Sequence, residues 1–333
     1  MQKDTLYNQV NPLVRVKEDE LLKRSTWQSL ENATSLSAVQ KILSTTIYAP
    51  YVRQKDFQLT FEDTLQQMRN EFFSWAYEVA PEKELVDLFT LRYTHHNLKV
   101  LTKAEFTGQN LDDLLIEDGR FTFDQLKSAV HTKASSILPD YLVAGIQEVA
   151  DYFAEGKILQ GIDIIYDRLY LTQIKKIAVE LNYPELLNEV TSFIDLSNIM
   201  ITARAIKQKQ TPTFLSTVLS SSGKIEKSEY LEFSGATLAE FTQYLLNSSY
   251  HELISLSLDN AVLSLSKMAV LRDDYLSNMF TKSKTIAFGP LPLLALINAK
   301  ELEEKNLRLI VTGMNNRFSK ELIAERMRGN HEL

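Results

Sequence analysis

Three sets of side chains in this sequence have the types and spacing that chemistry asks for. Asp112-Asp113 and Asp273-Asp274 set carboxylates side by side, the raw material of general acid–base work. Both pairs fall near predicted helix ends, where adjacent acids ordinarily face water or the positive end of the helix dipole. His95 and His96 offer imidazoles for a metal. Neighbours on a helix point about 100° apart, however, whereas helical metal pairs are spaced three or four residues apart. His131, His251 and His331 read as ordinary surface and interface histidines.

The third set repeats. Thr94-x-x-Asn97-Leu98, Asp195-x-x-Asn198-Ile199 and Glu303-x-x-Asn306-Leu307 carry asparagines 101 and 108 residues apart. An oxygen-bearing residue three positions before an asparagine shares its helix face. One reading has Asn97, Asn198 and Asn306 binding backbone or side-chain groups where long helices pack, as buried amides require. The other has them lining a central cavity and meeting a partner. Arg92, Arg204 and Arg308 lie close by in sequence and could serve a partner's carboxylates. Solvated surface arginine is the plain alternative.

The phosphate-cradling patterns G-x-x-x-x-G-K-[ST] and G-x-G-x-x-G are absent, as is the G-x-S-x-G nucleophile elbow. No cofactor and no metal is expected, and the chain reads as a non-enzyme. A helical hydrolase working through Asp195 and Glu303 remains a competing reading.

The elements that must position these residues are helices. Tyr166, Tyr170, Ile174, Ile177 and Leu181 recur at spacings of four, four, three and four, one apolar helical stripe. Leu258, Val262, Leu265 and Ala269 look similar. Long helices are predicted over about 62–80, 84–103, 141–181 (interrupted near Gly156), 185–207, 253–280 and 291–311, and a last helix after Ser319. Short helices are predicted over 21–48, 111–134 and 214–250. Gly119-Arg120-Phe121 and Gly223-Lys224-Ile225 read as turns into short helices. Asn32–Tyr48 and Ser234–Tyr250 align without a gap over 17 residues, each pair 202 positions apart. Repeats of about 100 residues exceed the 30–45 of a helical solenoid. They divide the chain into modules 1–108, 109–212 and 213–333.

Of the 333 residues 44% are hydrophobic, with only 10 Gly and 8 Pro, a composition suited to long helices. The net charge of −7 gives no basic stripe for nucleic acid. The absence of cysteine excludes disulfides and Cys-ligated zinc, and fits a cytoplasmic location. The start of the chain has no apolar signal core, and the apolar stretch 286–299 is too short and too interrupted by Gly289, Pro290 and Pro292 to cross a bilayer.

The run Tyr7, Leu13-Val14-Arg15-Val16, Glu20-Leu21-Leu22 and Thr46-Ile47-Tyr48 resembles the start of the central-stalk C subunits of V/A-type ATPases, counterparts of the eukaryotic d subunit. Arg92–Leu101 (RYTHHNLKVL) resembles that family's Asn-Leu helix, and Glu303–Val311 (EEKNLRLIV) its C-terminal phrase. The middle module departs from the pattern, with Ile199-Met200-Ile201 after Asn198 where a Leu-Arg pair is the rule. The resemblance implies an all-α funnel of three modules about a pseudo-threefold axis. It implies a rotor component, one copy per complex, that joins the axle subunits D and F to the membrane ring of ion-carrying subunits from the cytoplasmic face, without spanning the membrane. A helical scaffold unrelated to rotary ATPases is the alternative.

Overall fold

The computed structural model describes residues 3–52, 56–117, 119–155 and 158–328. The chain is all-α. Its helices are α1 (Val10–Glu18), α2 (Arg24–Glu31), α3 (Leu36–Leu43), α4 (Ala49–Val52), α5 (Phe57–Val79), α6 (Lys83–Thr107), α7 (Phe123–Thr132), α8 (Asp140–Ala154), α9 (Gln160–Leu181), α10 (Pro184–Lys207), α11 (Pro212–Val218), α12 (Lys227–Leu231), α13 (Leu238–Leu245), α14 (His251–Leu256), α15 (Leu265–Ser277), α16 (Leu291–Asn315) and α17 (Lys320–Arg326). Among the described residues no helix is long and apolar enough to cross a membrane.

Local chemistry sets the boundaries. Gly108 ends α6 in the left-handed region at φ 68°, where a side chain would be strained. Asn182 does the same for α9, and Pro184 opens α10 with the φ that a first helical residue needs. The 17-residue repeat is a repeat of structure down to its caps. Ser35 caps α3 by accepting from the Ala38 amide, and Thr237, 202 positions later, accepts from the Glu240 amide at the start of α13. Thr46 and Ser248 then accept from the amides of Tyr48 and Tyr250, and both tyrosines are 2% exposed.

One expected helix differs. The stretch predicted as one helix over 253–280 is α14, a hairpin of β1 (Leu258–Asp259) and β2 (Val262–Leu263), then α15 and a 3-10 segment, Asn278–Thr285. Asn260 and Ala261 both have positive φ, 49° and 63°, the geometry of a tight hairpin turn. The apolar spacing of Leu258 and Val262 therefore belongs to two strand ends and not to a helix face. The interruption expected within 141–181 is present, dividing that stretch into α8 and α9. Gly156, named as the interruption, lies outside the described residues, as does His331.

The chain forms two compact units. The first comprises residues 1–69, 79–81 and 246–333, so both ends of the chain belong to it. Its core gathers Trp27, Leu30, Val39, Leu43, Phe61 and Leu65 with Leu307 and Ile310 of α16. The second comprises residues 70–78 and 82–245. One of its cores joins Leu98 and Leu101 of α6 to Leu126, Leu142, Val149, Ile162 and Tyr166.

Candidate functional site

The three repeated asparagines make one bonding pattern three times. Asn97 donates to the Ile116 carbonyl at 2.6 Å and accepts from the Ile116 amide at 2.9 Å. Asn198 does the same with Ser220, at 2.8 and 3.1 Å. Asn306 does the same with Arg328, at 3.0 and 2.9 Å. A side-chain amide carries the groups of a peptide bond, so each pair resembles one rung of an antiparallel ladder. All three asparagines are at most 1% exposed, and these bonds satisfy polar groups that would otherwise be costly to bury. Each clasp holds a non-helical segment against a long helix, 19 residues downstream in the first case and 22 in the others. After Ile116 and Ser220 the chain runs six residues to the N-caps of α7 and α12, Thr122 and Glu226, each closing a capping box.

The residue three before the second and third asparagines makes a second hold. The Asp195 carboxyl oxygen Oδ1 accepts from the amides of Lys224 and Ile225, at 2.9 and 3.1 Å. Its close approach needs Gly223, because a Cβ there would collide with Oδ1. Glu303 accepts from the Leu22 amide at 2.7 Å and from the Tyr48 hydroxyl at 2.6 Å, and Lys300 donates to it at 2.5 Å. Burial, then the Glu303 charge, pushes the Tyr48 hydroxyl well above its ordinary range, so it stays a donor. Ile225 and Leu22 each stand immediately before a helix N-cap, Glu226 and Lys23. Thr94, the third member, is 1% exposed. The asparagines therefore support the structural reading made from sequence, and the groups they hold are backbone.

The arginines divide. Arg308 donates to Glu62 at 2.9 and 3.0 Å and to Glu304 at 2.8 Å, while Arg69 donates to Glu304 at 2.5 Å. Burial opposes the Arg308 charge, but Glu304 and Glu62 outweigh that and raise the Arg308 pKa. Arg92 is half-buried, donating to the Tyr93 hydroxyl at 2.6 Å with its guanidinium 4.6 Å from that ring's centre. Arg204 is exposed, and among the described residues its guanidinium has no ion pair or hydrogen bond. Sequence alone does not separate these three.

The residues suspected of catalysis are spread out. Asp112 pairs with Lys127 at 2.8 Å, and Asp113 is exposed. Asp273 is nearly buried and is held by Lys305, Arg272 and Arg328. Burial would raise its pKa, but the three cations, Lys305 foremost, lower it. His95 lies between the rings of Tyr166 and Tyr170, and burial, with a smaller effect of the Lys99 charge, lowers its pKa to about 3. His96 meets the Leu114 carbonyl at 2.9 Å instead. Among the described residues no group of three or more His, Asp or Glu could hold a metal ion.

Sequence reasoning placed Gly223-Lys224-Ile225 as a turn into a short helix, as found, but missed the room Gly223 makes for Asp195, the Tyr48 bond to Glu303 and the segments that the asparagines hold. A signal for the segments was present: six residues before two N-caps, some twenty residues after each asparagine.

Comparison with known proteins adds the following. The sequence pattern described as ATP synthase (C/AC39) subunit matches residues 10–326. The C subunit of the V-type sodium ATPase of Enterococcus hirae is 48% identical over 327 residues, covering 98% of this chain and 99% of that protein. The C subunit of the A-type ATP synthase of Methanocaldococcus jannaschii is 24% identical over 329 residues, covering 92% of this chain and 82% of that protein.

Proposed function

The chain belongs to the ATP synthase (C/AC39) subunit family, and from that premise we propose that it is the rotor adaptor between the axle and the ion-carrying ring of a rotary ATPase. Membership makes it a non-catalytic, peripheral subunit of a V/A-type ATPase hetero-complex, which sets aside the unrelated scaffold and the helical hydrolase. The finer reading has one copy per complex. It receives axle subunits D and F on one side and rests on the membrane ring on the other, at the cytoplasmic face. The near full-length match carries this reading.

Physical support comes from the clasps. An adaptor that passes torque must not yield where its pieces join. Each long helix here grips the following non-helical segment through paired bonds made by a buried asparagine. The same recurrence supports the modules 1–108, 109–212 and 213–333 and the pseudo-threefold scheme. The E. hirae relative is named for sodium, so sodium is the ion to assay first in the parent complex.

The test is direct binding. The purified chain is mixed with a purified D–F pair and followed by size-exclusion chromatography with light scattering. A stable one-to-one-to-one complex is expected. Folded components that fail to associate at low salt and micromolar concentration would sink the adaptor reading.

A further inference from the structure

The second unit carries an open groove of about 460 Å³ between α9, α10 and α11. Its apolar lining includes Tyr170, Phe193, Ile201 and Phe214, all only half-buried. Arg204 stands at its rim, with Asp163 also among the lining residues. We propose that this groove seats the end of an amphipathic helix from the axle pair, with a carboxylate of that helix on Arg204. The proposal rests on the adaptor reading for its choice of partner, and the groove itself is argued from this chain.

The internal repeat supplies the charge argument. Lys103 lies six residues after Asn97, and Arg204 six residues after Asn198. Lys103 is answered by both carboxylate oxygens of Asp163, at 2.7 and 2.8 Å. The corresponding position after Asn306 is Thr312, which has no charge to answer. Arg204 alone among the three is a cation left open among the described residues. Asp163 and Asp167 do not compensate it, because Lys103 and Lys99 already hold them. Among the described residues no acid answers Arg204, which leaves its guanidinium open to a carboxylate brought by a partner.

The lining supplies the shape argument. α9 and α10 form a hairpin through Asn182 and Tyr183, so their facing side chains make a trough. Half-exposed aromatic side chains in a trough are typical anchoring surface for a partner. The volume suits a few large apolar side chains at helical spacing, as in other helix-in-groove contacts. A polar loop of a membrane ring would leave that lining unmatched.

The chain has no cysteine, so Ser197→Cys in the groove accepts a benzophenone maleimide at that position only. Irradiated with the purified D–F pair, it is expected to cross-link to an axle subunit, whereas the same label at Ser29→Cys on α2 does not. Arg204→Glu is expected to weaken binding of the pair at least tenfold and to flatten its salt dependence, with Arg204→Lys close to the parent. Circular dichroism checks that each variant is folded. A parent chain that binds while Arg204→Glu binds equally well would overturn the groove and leave the adaptor standing. Weakened binding without the Ser197→Cys cross-link, or equal cross-linking from Ser29→Cys, would also overturn it. Failure of the parent chain to bind would instead reject the adaptor reading.

Discussion

Helices α10 and α16 do the same work with different material. On α10 one continuous segment, Ser220 to Ile225, answers both Asn198 and Asp195. On α16 the two answers come from opposite ends of the chain: Arg328 binds Asn306 and Leu22 binds Glu303. The geometry of the repeat is thus kept where the covalent chain is cut. What matters to the fold is a backbone amide in the right place, not the continuity of the strand that brings it. The second unit holds its pair through local sequence, and the first through contacts up to 281 residues apart.

The chain's two tryptophans make this comparison measurable, because Trp27 lies in the first unit and Trp75 in the second. Trp75→Phe leaves a reporter of the first unit and Trp27→Phe a reporter of the second. The largest effect is expected from Gly223→Ala, whose Cβ would collide with the buried Asp195 and break its two part-buried bonds. A loss of about 3–4 kcal/mol is expected in urea unfolding read by Trp75. Counted from the same N-cap, the residue matching Gly223 is Glu20, two before Leu22, which already carries a side chain, so the first unit has no such vulnerable point. A Gly223→Ala loss below about 1 kcal/mol would show that the Asp195 hold is dispensable.

Asn198→Ala is next, at about 2–3 kcal/mol, because it strands a buried amide and carbonyl in mid-chain. Asn306→Ala is expected to cost about 1 kcal/mol, since its bonds to Arg328 are only part-buried and the groups released can turn to water. Equal losses would erase the distinction between the two clasps.

Acid sharpens the contrast further. His95 in the second unit has a folded pKa of about 3 against 6.5 unfolded, so the unfolded state binds more protons between those values. The His95 contribution to the second unit is therefore complete above pH 6.5 and is lost as pH drops. His95→Phe is expected to recover about 2 kcal/mol at pH 5, read by Trp75, and to gain little at pH 7.5. In the first unit Asp273 is held below its ordinary value, so its contribution persists from neutral pH down to the unfolded carboxyl range and is lost below that. The Trp27 reporter should stay level over the window in which the Trp75 reporter declines.

The smallest effect concerns alkali. Burial raises Glu189 on α10 to about 8, so the folded state binds more protons than the unfolded one between 4.5 and 8. Stability falls as pH rises through that window. Glu189 remains half-exposed, so Glu189→Gln is expected to recover only about 1 kcal/mol at pH 8.5. No change in slope between pH 5 and 8.5 would remove Glu189 from the account.

Helical class and most long helices were legible because an apolar stripe needs only local spacing, as along Tyr166 to Leu181. The repeated asparagines were legible as a type and a spacing. Their partners were not, because a backbone amide has no letter in the sequence. The hairpin at Leu258–Leu263 escaped because its turn uses Asn260-Ala261, without the glycine that usually announces it. The three arginines looked alike because whether a cation is spent depends on acids such as Glu62, 246 residues from Arg308.

The closing of α16 also sets a schedule. The Asn97 clasp needs only 19 further residues of chain, and the second unit can form while synthesis continues. Leu22 must wait for Glu303, 281 residues later, and Asn306 for Arg328, 22 residues beyond it. The Leu22 contact is therefore sealed only after the whole second unit has been made, and a polypeptide released before Glu303 never closes it.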